Sequence, residues 1–232
     1  METVHTRASR PRLLIADDHA MFAEALSVYL EPTFNVIGTV VDGRAMLEES
    51  IRLRPDVIVT DVAMPLLNGL DAALRIREQA PNVKFVFLTM LDDPTLTAAA
   101  LELGPVAFLL KSSCGLELLK AIEQILHGRP YVTPKLKAED WGAAKARARQ
   151  FSKDLTKRQR DVVQLFAEGR PMKEIAGILN LSAKTVEFHK HQVMETFNIK
   201  CNADLVLFGL KRGLIAFNPE PVTLPTAAHG IF

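Results

Sequence analysis

Leu13-Leu14-Ile15-Ala16-Asp17-Asp18-His19 sets four apolar residues directly before two adjacent carboxylates, and its reading decides the fold. Four residues are too few for a helix. The run lacks polar alternation, so it reads as a parallel strand buried on both faces. Runs of the same kind recur at 36–41, 57–60, 85–88 and 107–110. Between them apolar residues follow helical spacing over 20–30, 44–54, 70–79, 95–103 and 116–127. Five strand-helix units in succession predict an α/β domain: a doubly wound parallel five-stranded sheet with helices on both faces. Gly128-Arg129-Pro130 closes the last helix.

Outward from that half the chain changes character. Its 232 residues suit two small domains. The overall charge of +1 conceals an asymmetry. Residues 1–128 carry 11 Lys+Arg against 17 Asp+Glu, whereas residues 150–216 carry 11 against 7. An acidic first unit and a basic second one have different partners, and polyanions suit the second. Residues 129–152 read as a basic linker, partly helical over 141–149, and residues 217–232, with three prolines after Asn218, as a flexible tail. Beyond Leu155 the strand signals stop. Helical stretches over 157–168, 172–179, 183–197 and 203–212 predict a small all-α domain. Thr156 with Gln159 fits a capping box, Ser182 an N-cap, and Gly169 and Asn180 helix ends. The expected domains are therefore 10–128 and 153–216.

Cys114 and Cys201 lack metal-ligand spacing and read as unpaired thiols in a reducing cytoplasm. There is no signal-peptide pattern and no run of 18 apolar residues, so no membrane association is expected.

Asp17 and Asp18 follow the first strand and Asp61 the third, while Thr89 ends the fourth and Lys111 the fifth. A parallel sheet brings all of these to one edge, outside the carboxyl ends of its strands. Each alone reads as a cap or a solvated charge. Together they form a coherent set. Clustered carboxylates need a cation, and hard oxygen ligands select magnesium. A carboxylate beside that metal can attack phosphorus, while a hydroxyl and an ammonium hold the phosphoryl oxygens.

Residues 12–127 resemble the CheY-like receiver domain through LLIADDH (13–19), TDVAMPLLNG (60–69), FLTM (87–90) and AFLLKSS (107–113). The resemblance implies that Asp61 is the phosphoacceptor, that Asp18, Asp61 and the Ala63 carbonyl ligate Mg2+, and that Asp17 acts through a metal-bound water. It also implies that Thr89 and Lys111 contact the phosphoryl group, and that Thr89 and Phe108 form the switch. Phe108 has no hydroxyl, so a switch there works by burial. Receivers often carry a cis-proline after the lysine. Ser112 stands there, as in many members of the subfamily that the second half points to. Gly104-Pro105-Val106 replaces the commoner turn before the fifth strand.

Residues 172–179 and 183–197, joined by Asn180-Leu181-Ser182, have the spacing of a helix-turn-helix, although spacing alone favours an ordinary helical hairpin. Residues 155–214 resemble the LuxR/NarL-type DNA-binding domain through LTKRQRDVVQLFAEG (155–169), KEIAGILNLSAKTVEFHKHQVMETF (173–197) and ADLVLFGLKRGL (203–214). By position, Lys184, Thr185, Glu187, Phe188 and His191 face DNA. Lys184 and Thr185 suit phosphates, Glu187 a cytosine amino group and Phe188 a thymine methyl. His189 suits packing and phosphate contact, and Arg158 and Arg160 the DNA backbone. In the last helix Leu205, Val206, Phe208 and Leu210 either close the domain core or form a dimer surface, which the resemblance favours.

The combined resemblance is to the NarL/FixJ class of two-component response regulators, in which a sensor histidine kinase phosphorylates the receiver and a homodimer binds DNA to control transcription. Such a chain is not an enzyme beyond its own phosphotransfer. A phosphoester hydrolase built on the same carboxylates would need an acid/base Asp two residues beyond the nucleophile, where Ala63 stands. A helical domain that only dimerises or sequesters partners is the third reading, kept open by Glu187 and His191.

Overall fold

Four strands of the first half are buried on both faces because their alternate residues enter different cores, whereas the second, at the sheet edge, is only half-buried. The strands are β1 (Arg12–Ala16), β2 (Asn35–Val40), β3 (Val57–Asp61), β4 (Lys84–Thr89) and β5 (Ala107–Leu110). Leu13 and Ile15, Val57 and Val59, Val86 and Leu88, and Ala107 and Leu109 enter one core; Leu14, Ile58, Phe85, Phe87 and Phe108 enter the other. The first core is closed by α1 (Ala20–Leu30) and α5 (Cys114–Leu126), the second by α2 (Gly43–Leu53), α3 (Gly69–Gln79) and α4 (Pro94–Leu101). The computed structural model describes residues 10–90, 92–136, 146 and 155–215. The expected flexible tail 217–232 and nearly all of the basic segment 141–149 lie outside them.

All strand pairs are parallel, in the order β2-β1-β3-β4-β5-β6. The sheet thus has a sixth strand beyond the five expected. It is β6 (Tyr131–Val132), inside the stretch read as linker. Tyr131 N–H donates to the Val106 carbonyl at 3.2 Å and Thr133 N–H to that of Phe108 at 3.0 Å. Two residues are too short to show a period, and Pro130 and Pro134 read as breakers. Prolines flanking an edge strand cost no ladder bond, however. The chain then buries Leu136 in the same core as Phe108, so this domain's fold runs on to Leu136.

Three helices of the first domain start on a side-chain cap. Asp42 accepts from the N–H groups of Arg44 and Ala45, Asn68 from Asp71, and Asp93 from Thr95. Such caps satisfy amides that the first helical turn leaves without partners.

The second domain holds α6 (Lys157–Ala167), α7 (Met172–Leu179), α8 (Ala183–Thr196) and α9 (Asn202–Lys211). Thr156 and Gln159 form the expected capping box, and Ser182 caps α8 through the Thr185 N–H. Asn180 ends α7 in the left-handed conformation. Val186 and Val193 point α8 into the core, and α6 runs beneath it. Five consecutive α6 residues, Asp161 to Leu165, are buried. One apolar stripe explains only some of them. The rest are covered by the first domain.

Candidate functional site

The ends of β1, β3 and β5 converge on one buried ammonium. Lys111 Nζ lies 2.8 Å from Asp17 Oδ2 and 2.5 Å from Asp61 Oδ2. Its Nζ also lies over the Phe22 ring, 4.8 Å from the centroid. Asp17, Asp61 and Thr89 are buried, while Asp18 is exposed at the rim. Ala63 N–H donates to Asp61 Oδ1 at 3.0 Å. Lys111 and Ser112 open a short 3-10 turn, and no cis peptide occurs among the described residues.

Burial raises the Asp61 pKa, with Lys111 and the Ala63 amide opposing the rise and Asp17 adding to it. Burial works against the Lys111 ammonium too, but Asp61 and Asp17 more than offset it and its pKa is raised. Two carboxylates therefore share one cation, and the cluster retains excess negative charge facing solvent at Asp18.

One ligand atom from each of Asp17, Asp18, His19 and Asp61 can be chosen so that all lie within 4.8 Å of one another. A donor set dominated by carboxylate oxygen fits a hard divalent cation. His19 stands at the same cluster. Its Nδ1 lies 2.9 Å from Asp18 Oδ1, and its N–H donates to Asp17 Oδ1 at 2.9 Å. Phe108 is fully buried beside Phe87, ring centroids 6.0 Å apart.

In the second domain Lys184, Glu187, Phe188 and His191 line the exposed side of α8, with Phe188 57% exposed. Thr185 is half-buried and shares a 2.7 Å hydrogen bond with the Ser182 hydroxyl. His189 is half-buried, edge-on to Phe188. His191 Nε2 lies 3.2 Å from Glu195. Arg158 donates to the Leu179 carbonyl at 3.3 Å, and Arg160 is ion-paired to Asp71 of the first domain at 3.0 Å. On α9 Leu205 is fully buried, Val206, Phe208 and Leu210 are half-buried, and Leu207 is 51% exposed. Phe208 packs on Phe197 at 4.7 Å between centroids.

What the sequence did not reveal is the contact between the domains. Asp161 pairs with Arg75 at 2.5 Å, and Lys157 with Glu78. Gln164 and Glu168 bond to the loop between β3 and α3. The one available signal was polar: Asp161 and Gln164 are hydrophilic residues within an otherwise apolar turn of α6.

Family models match both halves: the response regulator receiver domain over residues 13–123, and the luxR family of bacterial regulatory proteins over residues 153–208. The chain belongs to the two-component response regulators of the NarL/FixJ class, which join a receiver to a LuxR-type helix-turn-helix domain. It is 33% identical over 217 residues to the oxygen regulatory protein NreC of Staphylococcus epidermidis, across 89% of this chain and 100% of that one. The NreC of Staphylococcus carnosus is 32% identical over 216 residues, with the same coverage. Among solved structures, the RcsB response regulator of Salmonella typhimurium superposes with a TM-score of 0.60 at 26% identity, covering 86% of this chain and 96% of that one. RcsB of Salmonella enterica serovar Typhimurium bound to promoter rprA, with the phosphomimetic BeF3-, gives 0.58 at 27% identity, covering 86% and 98%. The fold is that of a receiver followed by a DNA-binding helical domain, and the chain is a regulator of transcription. Among the described residues no helix is long and apolar enough to cross a membrane.

Proposed function

We propose that Asp61 is the phosphoacceptor and that its phosphorylation by a sensor histidine kinase controls sequence-specific DNA binding. The observation that carries this is the Lys111 ammonium held between Asp61 and Asp17 beside an exposed Asp18. An Asp61 oxygen attacks the phosphorus of a phosphohistidine. The P–N bond breaks, its electron pair leaves with the imidazole, and that nitrogen takes up a proton. Asp18, Asp61 and the Ala63 carbonyl would hold Mg2+, with Asp17 assisting beside them. When bound, the ion neutralises charge developing on the phosphoryl oxygens. Lys111 then transfers its contact from Asp61 to a phosphoryl oxygen, and Thr89 supplies its hydroxyl. Phe108, which has no hydroxyl, serves the switch by packing.

Asp61→Asn is expected to abolish Mg2+-dependent labelling by a small phosphodonor. Label retained at wild-type levels on that variant would sink the assignment.

For DNA, α8 enters the major groove. Lys184 and Thr185 contact phosphates, with His189 behind them and Arg158 and Arg160 toward the backbone. Glu187, Phe188 and His191 read base edges. The modest positive charge of the second domain makes a single copy a weak binder, so a homodimer on two half-sites is the active form. Its surface is the outer face of α9, Val206 and Leu210 with Leu207, supported from within by Leu205 and Phe208. The protein works in the cytoplasm, on the chromosome, and catalyses nothing beyond its own phosphotransfer. Affinity should fall steeply with salt. Lys184→Ala should weaken binding uniformly across operators and lower the salt slope by about 1. An unchanged slope in salt-titrated binding would remove Lys184 from the phosphate contacts.

A further inference from the structure

His19 faces the carboxylates instead of capping the helix that it starts. It stands at the N-cap of α1, yet its side chain makes no capping bond. Its backbone is fixed on both sides. The N–H donates to Asp17 Oδ1 at 2.9 Å, and the carbonyl accepts from the Phe22 and Ala23 amides at 2.9 and 3.0 Å. The residue is thus anchored at the acidic cluster, with Nδ1 2.9 Å from Asp18 Oδ1 and 3.3 Å from Asp17 Oδ1. Asp17 beneath it is 1% exposed, whereas the His19 side chain is 57% exposed, so an ion reaches the ring from solvent.

Those separations are the ones that neighbouring ligands of one ion have. Two donors side by side on an octahedral ion, with bonds of about 2.1 Å, lie about 3 Å apart. A ring N–H donated to Asp18 would give the same 2.9 Å, so distance alone does not choose between the two. The donor set favours the ion. Asp17, Asp18 and Asp61 bring three carboxylates to the cluster, and Lys111 offsets one of them. A divalent ion balances the other two, and an uncharged imidazole completes the set without adding charge.

The nitrogen decides which ion is held best. Magnesium takes oxygen ligands and gives up its waters reluctantly, whereas imidazole suits first-row transition ions. Resting on the cluster as the metal site of the phosphoacceptor, we propose that His19 is a metal ligand through Nδ1 and makes the site prefer a first-row transition dication to Mg2+. The ion that fills the cluster is the one that offsets charge on the phosphoryl oxygens. His19 therefore sets which metal supports phosphotransfer to this chain.

The test uses the full chain. Calorimetry measures affinity for Mg2+ and for Ni2+. Electron spin-echo spectroscopy of the Mn2+-loaded protein detects nitrogen bonded to the ion. Wild type should bind Ni2+ more tightly than Mg2+ and show imidazole nitrogen coupled to Mn2+. His19→Ala should lose that coupling and about tenfold or more in Ni2+ affinity, with Mg2+ affinity changed by less than about twofold. The variant removes no capping bond, so it should fold as wild type does. Nitrogen coupling that survives His19→Ala places the nitrogen elsewhere in the chain and overturns the proposal. Ni2+ and Mg2+ weakened by the same factor also overturns it, because His19 then acts through charge or fold and not as a ligand. Asp18→Asn takes away an oxygen ligand and leaves the imidazole, so it should weaken both ions. Mg2+ binding undiminished in Asp18→Asn overturns the metal assignment of the cluster itself, and the role of His19 falls with it.

Discussion

Gly69→Ala is expected to destabilise the receiver by more than about 4 kcal/mol, a large share of a small domain's total stability. Helix propensity alone points the other way, since alanine in place of glycine within a helix usually gains about 0.5–1 kcal/mol. Space decides the sign. A Cβ at Gly69 would lie 2.1 Å from the Asp61 carbonyl oxygen and 3.0 Å from Thr60 Oγ1. Neither can retreat. Thr60 pairs with Ala16 on one side and Phe87 on the other, and Asp61 with Leu88. Gly69 N–H also donates to the Val62 carbonyl at 2.8 Å, which fixes the approach. The start of α3 must swing outward, and the Asp61 carboxylate loses its frame. Urea denaturation and binding of beryllium fluoride, a phosphoryl mimic, report the two effects. A transition within about 1 kcal/mol of wild type would show that the loop yields freely, which close-packed interiors seldom do.

The receiver was legible because four of its strands are buried on both faces. Such strands appear as unbroken apolar runs, and sheet topology then places Asp17, Asp61, Thr89 and Lys111 at one edge without any knowledge of side-chain contacts. β6 was illegible because two residues have no period. The last helix was ambiguous for a related reason. Leu205-Val206-Leu207 is apolar throughout, so spacing does not say which residue turns inward. Gly209 resolves it: its position 3.2 Å from the Ala167 methyl, had it a Cβ, puts the Leu205–Gly209 side against α6 and leaves Leu207 outside. The docking surface was hidden for a different reason. Gln164 and Asp161 are polar residues that a free helical domain would leave wet, and only their partners Met64, Asn68 and Arg75, about 90 residues away in sequence, make them interior. Periodicity within one domain carries no information about the face another domain will cover.

These hidden contacts change what the charge asymmetry means. The acidic first half and basic second half suggested different external partners. Part of that complementarity is spent internally, with Arg160 against Asp71 and Lys157 against Glu78. Arg160 was expected on the DNA backbone, yet in the docked arrangement its guanidinium is committed to the receiver. Undocking would return it to solvent beside α8. Domain release and phosphate contact would then draw on the same cation.

Lys111→Met is expected to cost about 3 kcal/mol at pH 7, because breaking a buried ion pair leaves uncompensated charge in the interior. Methionine keeps the aliphatic stem and removes only the charge that faces the carboxylates and the Phe22 ring, so the loss is chiefly electrostatic. The sign with pH follows from the groups left behind. Asp61 already has its pKa raised by burial, and Lys111 is the main influence holding it down. Without that ammonium the Asp61 pKa rises further. A raised carboxylate pKa leaves stability intact below the unfolded value, near 3.9, and removes it as pH climbs through the folded value. The variant's deficit should therefore shrink toward zero near pH 4 and grow to its full size by neutrality. The same pairing raises the Lys111 pKa against burial, so it is lost at acid pH when the carboxylates take up protons and at alkaline pH when the ammonium gives up its own. Millimolar Mg2+ should recover part of the deficit at pH 7, because a divalent cation among the same carboxylates replaces the missing charge. Chemical denaturation of wild type and variant across pH 4–8, with and without Mg2+, measures all three. A deficit that is flat with pH would mean that Lys111 stabilises the receiver by packing alone, and the carboxylates would then not be competing for its charge.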